Sequence, residues 1–189
     1  MEPKEPGNIG ASARAIKNMG FKNLRLVNPP PLTDEARWFA HNSLDILDKA
    51  VSYKTLSDAI SDISIVVGVT RRFGKRRGVF YPLHKGIERL RTYPPDTRIA
   101  FLFGREDKCL YNNEIEECGF IITIPSSIEQ PSLNLSHAVM VVAYELMRSE
   151  IIGERDDISK EGNEHFINHA ELSFLYERIE NILNRLDYR

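Results

Sequence analysis

Four short apolar runs, each ending at or beside a glycine or a proline, constrain the fold of this chain more than any other feature. They cover residues 24–27, 63–69, 99–103 and 120–124 and are rich in β-branched side chains. Segments with helical periodicity precede and separate them, at residues 12–19, 34–50 with a break near Asn42, 56–62, 83–91 and 113–118. This alternation predicts an α/β domain with a mainly parallel sheet flanked by helices. Ligands of such sheets bind beyond the carboxyl ends of the strands, so we expect the functional site there.

The chain is long enough for one main domain followed by a short appendage. Its 189 residues are 42% hydrophobic, which suffices for one buried core. Residues 135–147 are almost uniformly apolar, which predicts a helix covered on most sides by the core or by another subunit. Residues 153–163 are charged and polar like a linker, and Asn168 with Glu171 predicts the capped start of an amphipathic helix. We therefore expect a main domain at residues 1–152, a linker at 153–163 and a helical extension at 164–189.

The charge of the chain is balanced overall but concentrated locally. The formal net charge is −2, which gives no general attraction to nucleic acid, so an RNA-binding surface needs a local basic cluster. One basic run directly follows the second apolar segment and comprises Arg71, Arg72, Lys75, Arg76 and Arg77. Such runs are usually solvated loops. The position of this run after a strand, and the interleaved Phe73, favour contact with phosphates and bases.

Cysteine content and hydropathy indicate the cellular compartment. Cys109 and Cys118 lack the spacing of a metal site, so we expect neither a bound metal nor a disulfide. No apolar run approaches the roughly 20 residues of a membrane span, and the first residues lack a signal-peptide pattern. We therefore expect a cytoplasmic protein that does not enter a membrane.

Three segments carry candidate chemistry, although each alone also has a purely structural interpretation. Residues 6–21 place Gly7 and Gly10 ahead of a helix, which could leave backbone N–H groups open to an anion or simply make a turn. Residues 101–114 place charged side chains directly after a strand that ends at Gly104. Residues 124–146 place a polar loop before the apolar helix, where Ser or Asn is more often a helix cap than a catalytic group.

Taken in this order, the three segments resemble the signature motifs of the SPOUT superfamily of SpoU-type RNA ribose methyltransferases. The matching residues are Asn8 and Arg14 in the first, Gly104 and Glu106 in the second, and Pro125, Ser132, Leu133, Asn134 and Leu135 in the third. The resemblance spans roughly residues 2–151. The carboxyl-terminal segment, with Glu171, Tyr176 and Tyr188, is also similar to the extension of the bacterial tRNA (cytidine/uridine-2′-O)-methyltransferase J branch.

The resemblance implies a sheet whose carboxyl-terminal part forms a deep trefoil knot, a feature that periodicity alone never suggests. It implies a homodimer with active sites at the subunit interface and S-adenosylmethionine as the cofactor, held by the knot loops in a bent shape. By this analogy the residues around the methyl donor are Thr70, Phe103, Gly104, Glu106, Ile124, Leu133 and Leu135. The substrate implied by the branch is tRNA, at the ribose of position 32 in the anticodon loop.

The implied reaction transfers the donor methyl group to a ribose 2′-hydroxyl, and the resemblance assigns Arg14 to the handling of the hydroxyl proton. Because a guanidinium is almost never deprotonated in proteins, we expect Arg14 to orient the hydroxyl and favour the alkoxide by its charge. Asn8, Ser132 and Asn134 are expected to fix the arginine and the ribose by hydrogen bonds.

Two departures from the family pattern affect these expectations. The family begins with an apolar strand before the Pro-Gly-Asn loop, and this chain has only Met1 and four further residues there, so we expect a sheet without part of its usual support. Cys109 stands where glycine is usual, which predicts a changed backbone in the loop expected to hold the methyl donor.

Other functions remain open from the sequence. A nucleotide-dependent oxidoreductase is disfavoured because the third glycine and the preceding strand of a dinucleotide-binding loop are missing. Methylation of ribosomal RNA, or RNA binding without catalysis, is harder to separate from the tRNA hypothesis. An active enzyme is favoured by the retention of four motif residues, namely Arg14, Glu106, Ser132 and Asn134.

Overall fold

The computed structural model describes residues 1–71, 79–152 and 168–185, and its strands are all parallel to their neighbours. The strands are β1 (Arg25–Val27), β2 (Val51–Tyr53), β3 (Ile65–Val69), β4 (Phe80–Pro82), β5 (Ile99–Phe103) and β6 (Phe120–Thr123). One sheet has the order β1-β2 and the other the order β4-β6-β3-β5. The prediction of a mainly parallel α/β fold is therefore confirmed. Strands β2 and β4 were not predicted, because both lie outside the four apolar runs.

The helices fall close to the predicted segments. They are α1 (Pro6–Asn18), α2 (Asp34–Ala40), α3 (Leu44–Asp48), α4 (Leu56–Ile60), α5 (Leu83–Leu90), α6 (Asn112–Glu116), α7 (Leu135–Ile152) and α8 (His169–Arg185). The break expected near Asn42 is a single 3₁₀ turn, His41–Ser43, between α2 and α3. The predicted cap of α8 is also present, because Asn168 and Glu171 exchange two backbone-to-side-chain hydrogen bonds of 3.0 Å.

Helix α1 begins earlier than predicted, and this changes the role of its glycines. Pro6 occupies the first turn, where a missing N–H costs nothing, so Gly7 and Gly10 lie inside the helix rather than in an anion-binding loop. A Cβ on Gly10 would lie 1.9 Å from the carbonyl oxygen of Ala36. The glycine is therefore required for the close approach of α1 and α2, and the prediction that both glycines precede the helix was wrong.

The larger sheet is covered on both faces, which fixes the direction of each strand end. All five residues of the central strand β3 are buried. On one face Val67 packs with Leu83 of α5 and Val142 of α7, and on the other Val66 packs with residues of the α4 and α6 side, including Ile60, Leu110 and Ile115. The carboxyl ends of β6, β3 and β5 are consequently held side by side at one edge of a rigid layer.

A wide cleft separates the two sheets. It has a volume of about 1740 Å³ and is lined by residues of both β1 and β5, each of which pairs on one side only. At its end the amino group of Met1 donates to the carbonyl of Phe103 at 2.7 Å, and the N–H of Glu2 donates to the carbonyl of Val27 at 2.9 Å. Met1 and Glu2 therefore bridge β5 and β1 at this end of the cleft.

Helices α7 and α8 keep apolar surface uncovered. Val139, Val142 and Ala143 of α7 are buried, whereas Tyr144 is exposed, so α7 is less completely covered within one chain than its composition predicted. Helix α8 is held at its start by hydrogen bonds from His169 to Ile63 and from Ala170 to Ser61. The apolar side chains exposed along α8 are Phe174, Leu175, Tyr176, Ile179, Ile182 and Leu183.

Several sequence predictions concern residues outside the described ranges. These are most of the expected linker at 153–163, the first residues of the expected extension, and Arg72, Lys75, Arg76 and Arg77 of the basic run. Cys109 and Cys118 are both free. Of the helices in the described ranges, none has the length and apolar character needed to cross a bilayer.

Candidate active site

A pocket lies where the carboxyl ends of β3, β5 and β6 meet, as expected for a parallel sheet. All seven residues predicted to surround a methyl donor line it, namely Thr70, Phe103, Gly104, Glu106, Ile124, Leu133 and Leu135. They come from four separate stretches of the chain, and the pocket also includes Arg71, Arg105, Cys109 and Ser132. Its wall combines apolar side chains with backbone and one carboxylate, which suits a ligand that has both an apolar and a polar part.

One side of the pocket is a tight turn at residues 104–110, which we call the donor turn. The backbone of Arg105 exchanges two hydrogen bonds with that of Cys109, at 3.2 and 2.9 Å. A Cβ on Gly104 would lie 2.1 Å from the carbonyl carbon of Cys109, so only bare backbone fits at this point. Cys109 has a φ of 56°, the left-handed conformation that glycine adopts most easily. Cys109 therefore adopts a backbone conformation that favours glycine, and the change of backbone relative to the family stays a prediction.

Polar side chains from all three motifs form one hydrogen-bonded chain beside the pocket. The Asn8 amide donates to Glu106 at 3.0 Å, and the Asn134 amide donates to the Asn8 side-chain oxygen at 2.8 Å. The side-chain oxygen of Asn134 accepts from the backbone N–H of Ser136 at 2.8 Å, so Asn134 also caps α7. The capping role and the functional role considered for Asn134 are therefore compatible.

Glu106 is held in its ionised form by this arrangement. Its carboxylate accepts hydrogen bonds from the backbone N–H groups of Lys4 and Glu5 and from the side chain of Asn8. Burial alone would raise the pKa of Glu106, but the hydrogen bonds outweigh it and hold the pKa below its usual range. A charged, fixed acceptor consequently stands at the start of α1 and at the wall of the pocket.

Sequence reasoning missed a buried ionic cluster behind the donor turn. The Arg105 guanidinium donates to both carboxylate oxygens of Glu114, at 3.1 and 2.9 Å, and its Nε donates to Glu2 at 2.7 Å. The guanidinium carbon lies 4.1 Å from the centre of the Tyr111 ring. The only available signal in the sequence was a charge directly after a strand, which is common in solvated loops, so burial could not be predicted.

Arg14 is not hydrogen-bonded to the other predicted catalytic residues within the described ranges of one chain. Arg14 is exposed on α1, and no hydrogen bond or ion pair joins it to another residue of the described ranges. Asn8 and Asn134, which were expected to hold this arginine, bind each other and Glu106 instead. Ser132 and Arg71 are both exposed at the pocket.

Comparison with known proteins agrees with this geometry. The model of the SpoU rRNA Methylase family matches residues 1–144. A tRNA (cytidine-2′-O-)-methyltransferase, TrmJ, of Methanocaldococcus jannaschii is 34% identical over 169 residues, covering 84% of this chain and 70% of that protein. The tRNA (cytidine/uridine-2′-O-)-methyltransferase TrmJ of Sodalis glossinidius is 32% identical over 189 residues, covering 97% of this chain and 72% of that protein.

The solved structures that resemble this chain include TrmJ and SpoU methyltransferases. The crystal structure of TrmJ from Z. mobilis ZM4 superposes with a TM-score of 0.82 at 26% identity, covering 99% of this chain and 79% of that one. The SpoU methyltransferase AviRb from Streptomyces viridochromogenes, solved in complex with AdoMet, has the same fold with a TM-score of 0.64 at 21% identity, covering 80% of this chain and 59% of that one. The resemblance inferred from the three motifs is confirmed, and this chain belongs to the SpoU rRNA methylase family.

Proposed function

We propose that the chain is an S-adenosylmethionine-dependent methyltransferase that modifies a ribose 2′-hydroxyl of tRNA. The observation that carries this proposal is the convergence of the seven predicted donor residues on one pocket at the carboxyl ends of β3, β5 and β6. The relatives in Methanocaldococcus jannaschii and Sodalis glossinidius, which are named tRNA 2′-O-methyltransferases, support tRNA as the substrate. The name of the matched family keeps ribosomal RNA as the second candidate substrate.

The lining of the pocket has the chemistry that the methyl donor needs. The wall at Gly104 is bare backbone that any side chain would disrupt, as a ligand held through backbone groups requires. Phe103, Ile124 and Leu133 supply apolar surface for the parts of the donor that carry no charge. When bound, S-adenosylmethionine supplies a sulfonium-linked methyl carbon, and alignment of that carbon with the ribose oxygen accounts for much of the rate acceleration.

The protein residues position the ribose and favour loss of its proton. Asn134, fixed by Asn8 and by its capping bonds to α7, is placed to hydrogen-bond the ribose, with exposed Ser132 next to it. The Arg14 guanidinium stays protonated, so its role is to orient the hydroxyl and stabilise the developing alkoxide by charge. The family resemblance assigns these roles, and the Asn8–Asn134 contact supports those of the two asparagines.

Homodimerisation supplies the missing arginine in this proposal. Arg14 lies exposed on α1 and makes no hydrogen bond to Asn134 in the described part of the chain, and the apolar helix α7 is only partly covered. Both features are expected if α1 and α7 lie at a two-fold interface and Arg14 completes the site of the partner subunit. Exposed Trp38, on the helix that packs against α1, is a further candidate for the interface.

Mixing inactive variants tests the shared site. Arg14→Ala and Asn134→Ala dimers, mixed and allowed to exchange subunits, should regain about one quarter of the wild-type activity, because each mixed dimer has one intact site. If both residues act within the same chain, every mixed dimer has two damaged sites and no activity returns. Sedimentation of each protein alone checks that a dimer forms.

The RNA-binding surface is proposed to start at Arg71 and to continue through Arg72, Lys75, Arg76 and Arg77. Arg71 lies exposed at the pocket, and the other four lie outside the described residues.

We further propose the trefoil knot, whose support is that residues 131–135 share one pocket with the donor turn and with Thr70. The proposal also includes a main domain at residues 1–152, a linker at 153–163 and a helical extension at 164–189. A cytoplasmic location is proposed as well.

The decisive experiment measures methyl transfer from labelled S-adenosylmethionine to tRNA and to ribosomal RNA that both lack 2′-O-methylation. Label on a ribose of the tRNA anticodon loop is the expected result, and Arg14→Ala should reduce the rate roughly 100-fold or more without loss of donor binding. Label on ribosomal RNA alone would move the substrate to the second candidate. RNA binding that does not depend on S-adenosylmethionine, with no methyl transfer to either RNA, would contradict an enzymatic function.

A further inference from the structure

The buried cluster around Arg105 joins two parts of the site that are far apart in sequence. Its guanidinium contacts Glu114 on α6 and Glu2 in the segment before α1, and the Arg105 side chain is 6% exposed. The backbone of the same residue begins the donor turn. The adjacent Glu106 binds the segment before α1 as well, through Lys4 and Glu5. Two consecutive side chains therefore tie the donor turn to the start of the helix that carries Asn8 and Arg14.

We propose that Arg105 is a positioning residue that locks the donor turn to the segment before α1, so that the donor pocket and α1 keep one relative placement. The proposal rests on the proposed methyltransferase function. In this arrangement the pocket is formed before the donor arrives, which lowers the cost of ordering the turn on binding. Loss of the lock lets the donor turn move away from the Asn8–Glu106–Asn134 chain.

Arginine is specifically required at this position. Its planar fork places two N–H groups on the two oxygens of Glu114, while Nε and Nη2 also face Glu2. The face of the guanidinium lies over the Tyr111 ring. A lysine ammonium at the same place keeps the charge but cannot satisfy both carboxylates in this geometry. Since Glu114 is almost fully buried, an incomplete set of partners there is costly.

Glu2 provides the sharpest test, because its side chain does not line the pocket and reaches the donor turn through Arg105. In the full-length protein, Glu2→Gln and Arg105→Lys should each weaken S-adenosylmethionine binding on the order of tenfold, the cost of one charged hydrogen bond. The double variant should be no weaker than Arg105→Lys alone, because both changes break the same link. Donor binding is measured by calorimetry well below the unfolding temperature of each variant.

A neighbouring ion pair supplies the matched control. Lys4 and Asp107 join the same segment to the same turn at 2.6 Å, but their side chains are 55% and 42% exposed, so solvent weakens the pair. Asp107→Asn should therefore leave donor affinity within about twofold of wild type. Affinity of each variant for tRNA without donor should also be unchanged, because the basic surface is untouched.

The outcomes separate this proposal from the one it rests on. Failure of the unaltered protein to bind S-adenosylmethionine would overturn the proposed function and the lock together. Wild-type donor affinity in folded Glu2→Gln and Arg105→Lys proteins, or fully additive effects in the double variant, would overturn the lock alone. Equal losses of donor and tRNA affinity would assign Arg105 to general stability and would also contradict the proposal.

Discussion

The amino group of Met1 should make the stability of this protein depend on pH. In a chain that begins at Met1, this group is buried at the end of the cleft between β1 and β5, where it donates to Phe103. Burial lowers the pKa of the amine from 8.0 to about 6 and outweighs the opposing attraction of the Glu114 carboxylate. Folding therefore disfavours the charged form of the amine.

The sign and size of the effect follow from proton linkage. Between pH 6 and pH 8 the unfolded chain holds a proton on this amine that the folded chain has released, so the free energy of unfolding rises with pH. The difference of about two between the folded and unfolded pKa values corresponds to roughly 2.7 kcal/mol across that window. Below the folded pKa the whole penalty is present, and above the unfolded pKa none remains.

Acetylation of Met1 isolates this contribution. An acetylated terminus keeps one N–H for Phe103 but cannot carry a proton, so the acetylated protein should be more stable below pH 6 and should match the free form above pH 8. Urea unfolding followed by circular dichroism, at matched salt and at steps of pH, gives both profiles, and all other titrating groups cancel in their difference. A difference that stays constant with pH would refute the reasoning.

Three further predictions concern backbone positions where the structure leaves no room or requires an unusual conformation. Gly10→Ala should lower the free energy of unfolding by about 2–3 kcal/mol, because the new methyl would lie 1.9 Å from the Ala36 carbonyl oxygen; an unchanged urea midpoint would contradict the packing of α1 on α2. Gly104→Ala should open the donor turn, since its Cβ would lie 2.1 Å from the Cys109 backbone, and calorimetry should find S-adenosylmethionine binding weakened at least about tenfold; wild-type affinity would place the donor elsewhere. Cys109→Gly should raise the free energy of unfolding by about 1 kcal/mol, because the residue has a φ of 56°; a loss of thermal stability would show that the cysteine side chain contributes more than its backbone conformation costs.

Features that depend on local sequence were predictable. Strand β5 occupies the predicted residues Ile99–Phe103, the break between α2 and α3 lies where the helical pattern fails, and Asn168 caps α8 with Glu171. Each of these depends on the periodicity or the capping of neighbouring residues. The start of α1 was missed because two glycines suggested a loop, whereas a packing partner 26 residues further along, Ala36, required the glycine inside the helix.

The sequence by itself determined the fold class, the family and the seven residues that line one pocket, because strand ends and the order of motifs can be recognised along the chain. Only the tertiary structure decided which of those residues touch. Asn8 reaches Glu106 and Asn134 across separations of 98 and 126 residues, Arg105 is buried against Glu2 rather than solvated, and Arg14 is exposed on α1. The physical reason is that a hydrogen bond or an ion pair depends on distances of a few ångströms, which the packing of β3, α1 and α7 sets and which no local pattern encodes.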